Sequence, residues 1–300
     1  MRGDRPFYCA PGVKSTNGTC LTRNGLLRYI DLYNKHNQHD KIGRSQIYGL
    51  SDKELIDEIR KKLNNVCSEK GDWCWADQPY AMEDTDIQAA YKPPAPKTRN
   101  QWLSTTDIDR VIEQFGQMCP DFLYLGAVPL DFDKLRGMQL SNENYCQFYL
   151  DRKKTKIGVV FNYDTHDKTG SHWVCLFCNI TQGYIAFFDS VGVKHPRKEI
   201  RALIDSIKHK IEKCYDIALD RYVVHNMRVK INHNNIQKGN SECGVFCIYF
   251  IIKCLLGSTP EQIFNDATLS DEKMTEYRSK IFRPTLSSNN HIFDDEDLHY

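Results

Sequence analysis

The sequence contains no apolar run long enough to cross a lipid bilayer. Its most apolar stretch, residues 243–256, is shorter than the roughly 20 residues that a spanning helix needs. The N-terminal residues also lack the apolar core of a signal peptide. Net charge is small as well, at +1, which gives no global attraction to nucleic acid or to membranes. We therefore expect a globular protein that is not secreted and has neither a membrane nor a nucleic acid as partner.

Cysteine, in contrast, is abundant, with twelve residues. A chain of 300 residues buries enough apolar surface to fold without disulfides, and disulfides are rare in proteins that lack a secretory signal. We therefore predict reduced thiols in a reducing compartment. The spacings of the first four cysteines match no zinc-binding pattern, so we predict no metal and no cofactor; these four are Cys9, Cys20, Cys67 and Cys74.

Proline and charge patterns divide the chain. Three prolines fall within residues 93–96, which excludes a helix there and favours an extended segment. Ahead of them, Ser51 and Glu54 form a capping box at the start of a helical pattern. The predicted organisation has four parts: a mainly helical N-terminal arm (1–92), a Pro-rich linker (93–97), a main domain (98–285) and an acidic C-terminal tail (286–300).

The main domain mixes helical and strand-like periodicities. Residues 102–115 form an amphipathic helical pattern that begins at a Ser/Thr/Asp cap, and residues 194–214 form a second one with a basic outer face. The second helix carries an apolar stripe at helical spacing, made of Ile200, Leu203, Ile204, Ile207 and Ile211. Strands are predicted at residues 122–130, 156–163 and 221–231.

The aromatic and β-branched residues of 172–189 surround a short Gly-containing turn, which predicts a β-hairpin. If the turn is centred between Ile180 and Thr181, His172 lies directly across from Asp189, with a Cβ separation of roughly 4.5–5.5 Å. An imidazole and a carboxylate at this separation can form a hydrogen bond. The register therefore predicts a paired histidine and aspartate at one end of the hairpin.

Cys175 and Cys178 form a CxxC sequence, which occurs in many metal and redox sites. An odd spacing on a strand places the two thiols on opposite faces, so we predict neither use. Both faces of the hairpin are apolar, which indicates a central strand pair covered on both sides. The predicted cover for the face of His172 is the apolar helix that begins near Cys243.

Residues 237–243 form a polar loop that leads directly into the apolar run. A helix that is apolar on every side lies inside a core. Asn240 or Ser241 can cap this helix, which places Cys243 in its first turn, where free N–H groups and the helix dipole favour a thiolate. The alternative is a buried cysteine that serves only for packing.

A thiol nucleophile requires a base, a group that orients the base, and donors for the oxyanion of the tetrahedral intermediate. The sequence offers Cys243 as the nucleophile, His172 as the base and Asp189 as the orienting carboxylate. Gln237 can direct its side-chain amide at the oxyanion, beside the backbone N–H of Cys243. Each residue also has an ordinary structural explanation, and only their joint arrangement predicts catalysis.

This order and spacing resemble the Ulp1/SENP-like cysteine proteases, the C48 group. His172 is followed by Trp173, Asp189 comes 17 positions after the histidine, and Gln237 precedes Cys243 by six positions. The resemblance covers the whole main domain. It implies a papain-like α+β core with a central mixed sheet and a buried nucleophile helix, preceded by the helical arm.

Within that family, the chain resembles the polyprotein-processing proteases of large DNA viruses, of the asfarvirus type, in residues 162–165, 169–173, 240–244 and 270–283. Glu242 stands where the cellular deSUMOylases usually carry Asp, which agrees with the viral branch. The resemblance implies cleavage after Gly-Gly in core polyproteins during virion maturation. It also implies a location in the virion and in the host cytoplasm.

The resemblance assigns substrate-binding roles to Trp173, Asn162 and Gly244. Trp173 would wall a narrow channel that admits only small residues such as glycine. The expected partner is a protein substrate, either a polyprotein or another chain that contains Gly-Gly. Two alternatives stay open. One is a protease that removes ubiquitin-like modifiers, with the arm recognising the modifier; the other is a non-enzymatic interaction protein in which Cys243 is merely buried.

Overall fold

The computed structural model describes residues 8–15, 17–43, 47, 49–68 and 70–286. The chain divides into two compact units: Met1–Arg99 with Arg278–Tyr300, and Asn100–Tyr277. The α+β class is confirmed, because the first unit is helical and the second contains a mixed sheet packed against helices. No helix in the described part of the chain is long and apolar enough to cross a membrane.

The first unit is a helical arm with its own apolar core. Its longest helix begins at the predicted capping box, where Ser51 N donates to Glu54 Oε2 at 2.7 Å and Glu54 N donates back to Ser51 Oγ at 3.4 Å. Its helices are α1 (Arg23–His36), α2 (Asp52–Cys67), α3 (Trp73–Ala76), α4 (Pro79–Met82) and α5 (Thr85–Ala90).

The Pro-rich segment is extended, but it is packed within the first unit rather than being a free linker. Ala95 N donates to the carbonyl of Arg283 at 2.9 Å. The guanidinium of Arg283 is fully buried and pairs with Asp77 at 3.1 Å. Residues 93–97 and 278–285 therefore both belong to the first unit, so the observed boundaries differ from the predicted ones.

The acidic tail predicted at residues 286–300 lies outside the described residues, apart from Leu286. The backbone N–H of Leu286 donates to Asp77 Oδ2 at 2.6 Å, so this residue still belongs to the packed part of the first unit.

A five-stranded mixed sheet forms the centre of the second unit. The strands of this unit are β1 (Phe122–Val128), β2 (Lys156–Asn162), β3 (Trp173–Asn179), β4 (Tyr184–Phe188), β5 (Tyr215–Asp216), β6 (Arg221–Tyr222) and β7 (Arg228–Ile231). The central sheet has the order β1-β2-β3-β4-β7; its outer pairs β1/β2 and β4/β7 are parallel, and its inner pairs are antiparallel. The strand predicted at 221–231 is broken into β6 and β7.

The β3/β4 hairpin exists, but the predicted register was wrong by two residues. Asn179 pairs with Tyr184, so the turn is centred one position further along the chain than expected. His172 and Asp189 are therefore diagonal rather than directly opposed. A shift of two residues preserves the alternation of faces, whereas a shift of one would have exchanged them. The two side chains still meet, because diagonal neighbours remain within reach of long side chains.

The second unit contains six α-helices in the described part of the chain: α6 (Thr105–Gln117), α7 (Tyr145–Leu150), α8 (Lys198–Glu212), α9 (Cys243–Leu255), α10 (Pro260–Phe264) and α11 (Asp271–Ile281), which continues into the first unit. The helix α6 begins at Ser104, which forms a capping box with Asp107. The five predicted apolar positions of α8 are all buried. They pack on the face that holds Val174 and Phe187.

The helix α9 covers the opposite face from the predicted one. Cys175 Sγ lies 3.7 Å from the carbonyl oxygen of Cys247 on α9, and the ring of Phe188 stacks on Phe250 with centroids 4.8 Å apart. Along the strands, Cys175 and Phe188 alternate with Val174 and Phe187, whose face α8 covers. Both helices are apolar enough for either face, so only the three-dimensional packing distinguishes them. Cys178 lies in the α8 layer, which confirms that the two thiols of the CxxC sequence face opposite ways.

The prediction that all cysteines are reduced was wrong. Three disulfides are present: Cys9–Cys20, Cys67–Cys74 and Cys146–Cys214. Their Cα atoms lie 5.2, 5.8 and 5.3 Å apart, within the range that permits a disulfide. One pair is separated by 68 residues in sequence, so only the folded chain brings its two thiols together.

Candidate active site

The three side chains predicted to be catalytic meet at the N-terminal end of α9. Cys243 is the first residue of this helix and is 2% exposed. The His172 Nε2 atom lies 2.7 Å from Asp189 Oδ1. The thiol of Cys243 is close enough to the imidazole ring to contribute to its raised pKa. The predicted cap was wrong, because Glu242 occupies the N-cap position and makes no capping bond through its side chain.

His172 and Asp189 reach this end of α9 because neither belongs to a strand. β3 begins at Trp173 and β4 ends at Phe188, so each residue lies one position beyond its strand. Strand alternation therefore does not fix the direction of either side chain. Burial by itself lowers the pKa of His172, but the hydrogen bonds and charges of Asp189 and Cys243 outweigh it and raise the pKa to about 9.

The carboxylate of Asp189 is fully buried and is held by three donors. The Oδ1 atom accepts from His172 and from the backbone N–H of Val191 at 3.1 Å. The Oδ2 atom accepts from the hydroxyl of Tyr163 at 2.8 Å. Arg197 covers the ring of Tyr163, with the guanidinium carbon 4.2 Å from the ring centroid. This network orients the carboxylate, which in turn fixes the orientation of the imidazole.

Tyr163 is a site residue that the sequence reasoning missed. Its own pKa is raised, first by burial and then by the neighbouring charge of Asp189, so it remains a neutral donor. Its backbone N–H also donates to the carbonyl of His172 at 2.9 Å. The sequence did contain a signal for Tyr163, because the strand predicted at 156–163 ends at this residue. The pairing of β2 with β3 then places Tyr163 beside His172.

A pH profile tests the role of Asp189. With the pKa of His172 raised from 6.5 to about 9, the imidazole stays protonated up to that pH, and kcat/KM should fall above it. Asp189→Asn keeps the shape but removes the charge, so the alkaline limb should move down towards 6.5. An alkaline limb at the same pH in wild type and Asp189→Asn would contradict the role of Asp189.

Protonation of His172 also stabilises the folded protein, because the pKa of His172 is higher in the folded state. This contribution to stability is complete below pH 6.5 and is lost as the pH rises through about 9.

Gln237 lies on the loop that leads to α9 and is 3% exposed. Its Oε1 atom accepts from the hydroxyl of Ser190 at 2.6 Å, and its Nε2 atom donates to the carbonyl of Gly239 at 3.1 Å. The carbonyl of Gly239 can only accept, so it determines which end of the amide is the nitrogen, and the hydroxyl of Ser190 then donates to the oxygen. An amide nitrogen carries two N–H groups, and the bond to Gly239 uses one of them. The other is the predicted oxyanion donor.

A groove of about 540 Å³ lies beside this site. Its residues include Trp102, Leu135, Met138, Asn162, Gly170 and Trp173. The indole of Trp173 is fixed, because its Nε1–H donates to the carbonyl of Leu103 at 2.9 Å. Asn162 Oδ1 accepts from the backbone N–H groups of Asp164 and Ser171, so it shapes the loop at the groove. The two predicted substrate-binding residues Trp173 and Asn162 therefore line one groove.

Two glycines pack closely against residues that line the groove. Gly170 has a φ of +94°, and a Cβ atom there would lie 2.8 Å from Asn162 Nδ2. A Cβ atom on Gly244 would lie 3.2 Å from Leu103 Cβ and 3.4 Å from Ile108 Cδ1. Gly244, predicted to bind substrate, is buried and faces these side chains, so it lets the first turn of α9 approach the start of α6.

No group of three or more His, Cys, Asp or Glu side chains within the described ranges could hold a metal ion. The side chains of the site carry a chemistry of their own. A thiol beside a histidine that is itself held by a buried carboxylate can transfer its proton to the imidazole and attack a carbonyl carbon. Together with the α+β fold, this arrangement defines the class of papain-like cysteine hydrolases.

Comparison with known families makes this assignment specific. Residues 153–288 match the C-terminal catalytic domain of the Ulp1 protease family. The match covers just under half of the chain, so these residues are similar to the C48 proteases of the Ulp1 family. The chain is a cysteine protease, in agreement with the named thiol and cysteine proteases to which it is similar. The match includes His172, Asp189, Gln237 and Cys243.

Viral proteases are similar to this chain over most of their length. A thiol protease of Acanthamoeba polyphaga mimivirus is 28% identical over 283 residues, which are 89% of this chain and 90% of that protein. A SUMO-1 cysteine protease of African swine fever virus is 23% identical over 260 residues, 77% of this chain and 88% of that protein. The crystal structure of the selenomethionine form of the African swine fever virus protease has the same fold, with a TM-score of 0.65, 19% identity and coverage of 93% and 96% of the two chains.

Proposed function

We propose that this protein is an endopeptidase that cleaves core polyproteins after a Gly-Gly dipeptide during virion maturation, in the virion and the host cytoplasm. The observation that carries this proposal is the hydrogen bond between His172 and Asp189 at the N-terminal end of the helix that begins at Cys243, beside a groove lined by Trp173. The similarity to proteases of two large DNA viruses supports the viral setting.

The proposed reaction has two stages. The Cys243 thiolate attacks the carbonyl carbon of the residue before the scissile bond, and the carbonyl oxygen becomes an oxyanion facing Gln237 and the N–H of Cys243. His172 then protonates the leaving amine, which leaves an acyl-enzyme thioester. In the second stage, His172 accepts a proton from water, the hydroxide attacks the thioester, and the thiolate departs.

The preference for glycine rests on how rigid the groove is near the thiol. Trp173 is held by its bond to Leu103 and is 6% exposed, so it has little freedom to move aside. Gly170 packs so closely against Asn162 that a Cβ atom on the glycine would clash with the Asn162 side chain. A wall that cannot retreat excludes substrates with side chains next to the scissile bond, which leaves glycine as the residue that fits.

The test is a cleavage panel measured with the purified protein. It compares a Gly-Gly-Xaa peptide with matched Gly-Ala-Xaa and Gly-Val-Xaa peptides, and adds a core-polyprotein fragment with and without its Gly-Gly sites. We expect kcat/KM to fall by about tenfold or more for each enlargement, because overpacking a rigid pocket costs about 1–3 kcal/mol. Equal cleavage of the three peptides would contradict the proposed specificity.

A protease for ubiquitin-like modifiers is the second candidate, and it is favoured by the name of the African swine fever virus relative, a SUMO-1 cysteine protease. In that case, the helical arm would be the part that recognises the folded modifier. SUMO and ubiquitin fusions added to the same panel separate the two candidates. Cleavage of the fusions without cleavage of free Gly-Gly-Xaa peptides would favour removal of modifiers.

A further inference from the structure

A carboxylate at the start of α11 holds the loop that carries Gln237 and leads into the N–H of Cys243. Asp271 Oδ2 accepts from two consecutive backbone N–H groups, those of Lys238 and Gly239, each at 2.8 Å. Gly239 is also the residue whose carbonyl binds the side-chain amide of Gln237 at 3.1 Å. A chain of direct contacts therefore connects Asp271 to the Gln237 amide.

The geometry of Asp271 suits a fixed anchor. It is the first residue of α11, where the helix dipole stabilises a negative charge. Hydrogen bonds from backbone N–H groups to a carboxylate are roughly twice as strong as neutral ones. The other oxygen, Oδ1, is buried and has no hydrogen-bond partner among the described residues, so both bonds to the loop converge on Oδ2.

The loop is anchored from its other side by Ser190. The carbonyl of Ser190 accepts from the backbone N–H groups of Ile236 and Gln237 at 2.8 and 2.9 Å, while its hydroxyl donates to Gln237 Oε1. The loop is thus held at residues 236–237 by the end of β4 and at residues 238–239 by the start of α11. Between these two anchors the direction of the Gln237 amide is determined.

We infer that Asp271 is a positioning residue for the oxyanion site of this protease. It does not touch the substrate, but it sets the loop conformation that aims the Gln237 side chain and leads into the N–H of Cys243. This inference rests on the proposed role of Gln237. Without the two bonds from Asp271, the loop has freedom to rotate, and a displacement of about 1 Å at an oxyanion donor can cost about 10²-fold in rate.

The experiment compares wild type with Asp271→Ala, Asp271→Asn and the control Glu272→Ala, all in the full chain. Glu272 is the next residue on the same helix and is exposed, so its removal alters the charge but not the loop. We expect Asp271→Ala to lower kcat about 10²-fold with little change in KM. Asp271→Asn keeps an acceptor oxygen and should lose less than about tenfold, and Glu272→Ala should match wild type.

Alkylation of Cys243 by iodoacetamide distinguishes positioning from general damage. Alkylation needs the thiolate and its histidine but forms no oxyanion, so its rate should be equal in all four proteins. A parallel fall of alkylation and kcat would show that the site has collapsed and would overturn the inference, as would full activity of Asp271→Ala. If Asp271→Ala does not fold, the same comparison with Asp271→Asn decides.

Failure of the proposed function gives a different pattern from failure of this inference. If neither wild type nor Gln237→Ala hydrolyses any peptide in the panel, the proposed reaction is wrong and Asp271 has no oxyanion site to position. If wild type is active, Gln237→Ala is impaired and Asp271→Ala is not, only the positioning role is wrong.

Discussion

Cys243→Ala should abolish detectable peptide hydrolysis while leaving the fold intact. Among the described residues, the thiol is the group at the site that can form the acyl-enzyme, and it lies at the start of α9 near His172. Substituting alanine removes a single sulfur atom at the N-terminal end of α9, so the thermal midpoint should change little. The measurement is hydrolysis of a Gly-Gly-Xaa peptide beside a thermal melt of each protein.

Cys247→Ala is the matched control for this substitution. Cys247 lies one turn further along α9 and is 1% exposed, so the volume removed and the burial are nearly the same. Its backbone carbonyl takes part in the contact with Cys175, and the substitution leaves that carbonyl in place. We expect Cys247→Ala to remain active. Hydrolysis that persisted in Cys243→Ala would mean that another residue supplies the nucleophile.

Thiol labelling tests the same assignment without any substrate. Burial raises the pKa of Cys178, Cys247 and Cys254, so these thiols should stay inert below neutral pH. Cys243, paired with His172, should react there, and His172→Ala should slow it. This result would exclude the alternative in which Cys243 is only a packing residue.

Gln237→Ala should lower kcat by about 10² to 10³ with a small effect on KM, since an oxyanion donor stabilises the transition state more than the bound substrate. The side chain is buried and its Oε1 atom is occupied by Ser190, so its amide nitrogen is the end that can serve as donor. The measurement is steady-state kinetics with the Gly-Gly-Xaa peptide.

Two further substitutions show whether the donor itself is responsible. Gln237→Glu preserves the shape but replaces the N–H donors by an acceptor, so the loss should be at least as large as with alanine. Gln182→Ala removes an exposed glutamine in the hairpin turn and should have no effect. A loss of less than about threefold in Gln237→Ala would mean that the amide only supports the loop, because a donor is worth far more.

The local features of this protein were predictable because they depend on neighbouring residues. The capping box at Ser51, a Ser/Thr/Asp cap at the start of the helix predicted at 102–115 and the apolar stripe of α8 follow from propensity and periodicity, and all three were found. The four residues of the catalytic proposal were also identified from their order and spacing. Chemistry restricts which side chains can form such a site, so the types of residue carry information before the fold is known.

Interactions between distant segments could not be read in the same way. Whether α8 or α9 covers a given face of the hairpin depends on packing, since both helices present apolar side chains. The three disulfides depend on Cα distances that the folded chain establishes. The predicted turn of the hairpin was centred one position too early in the chain, which shifted the predicted strand pairing by two residues.

The class of chemistry follows from the residues alone: a cysteine, a histidine, an acid and an amide in the order of a thiol protease, with the cysteine at the start of an apolar helix. How these groups are held depends on contacts that only the folded chain makes. Tyr163 reaches Asp189 from the end of β2, and Asp271 reaches the oxyanion loop from α11, 32 residues away in sequence from Gly239. No local pattern encodes such contacts, because they arise only when separate elements pack together.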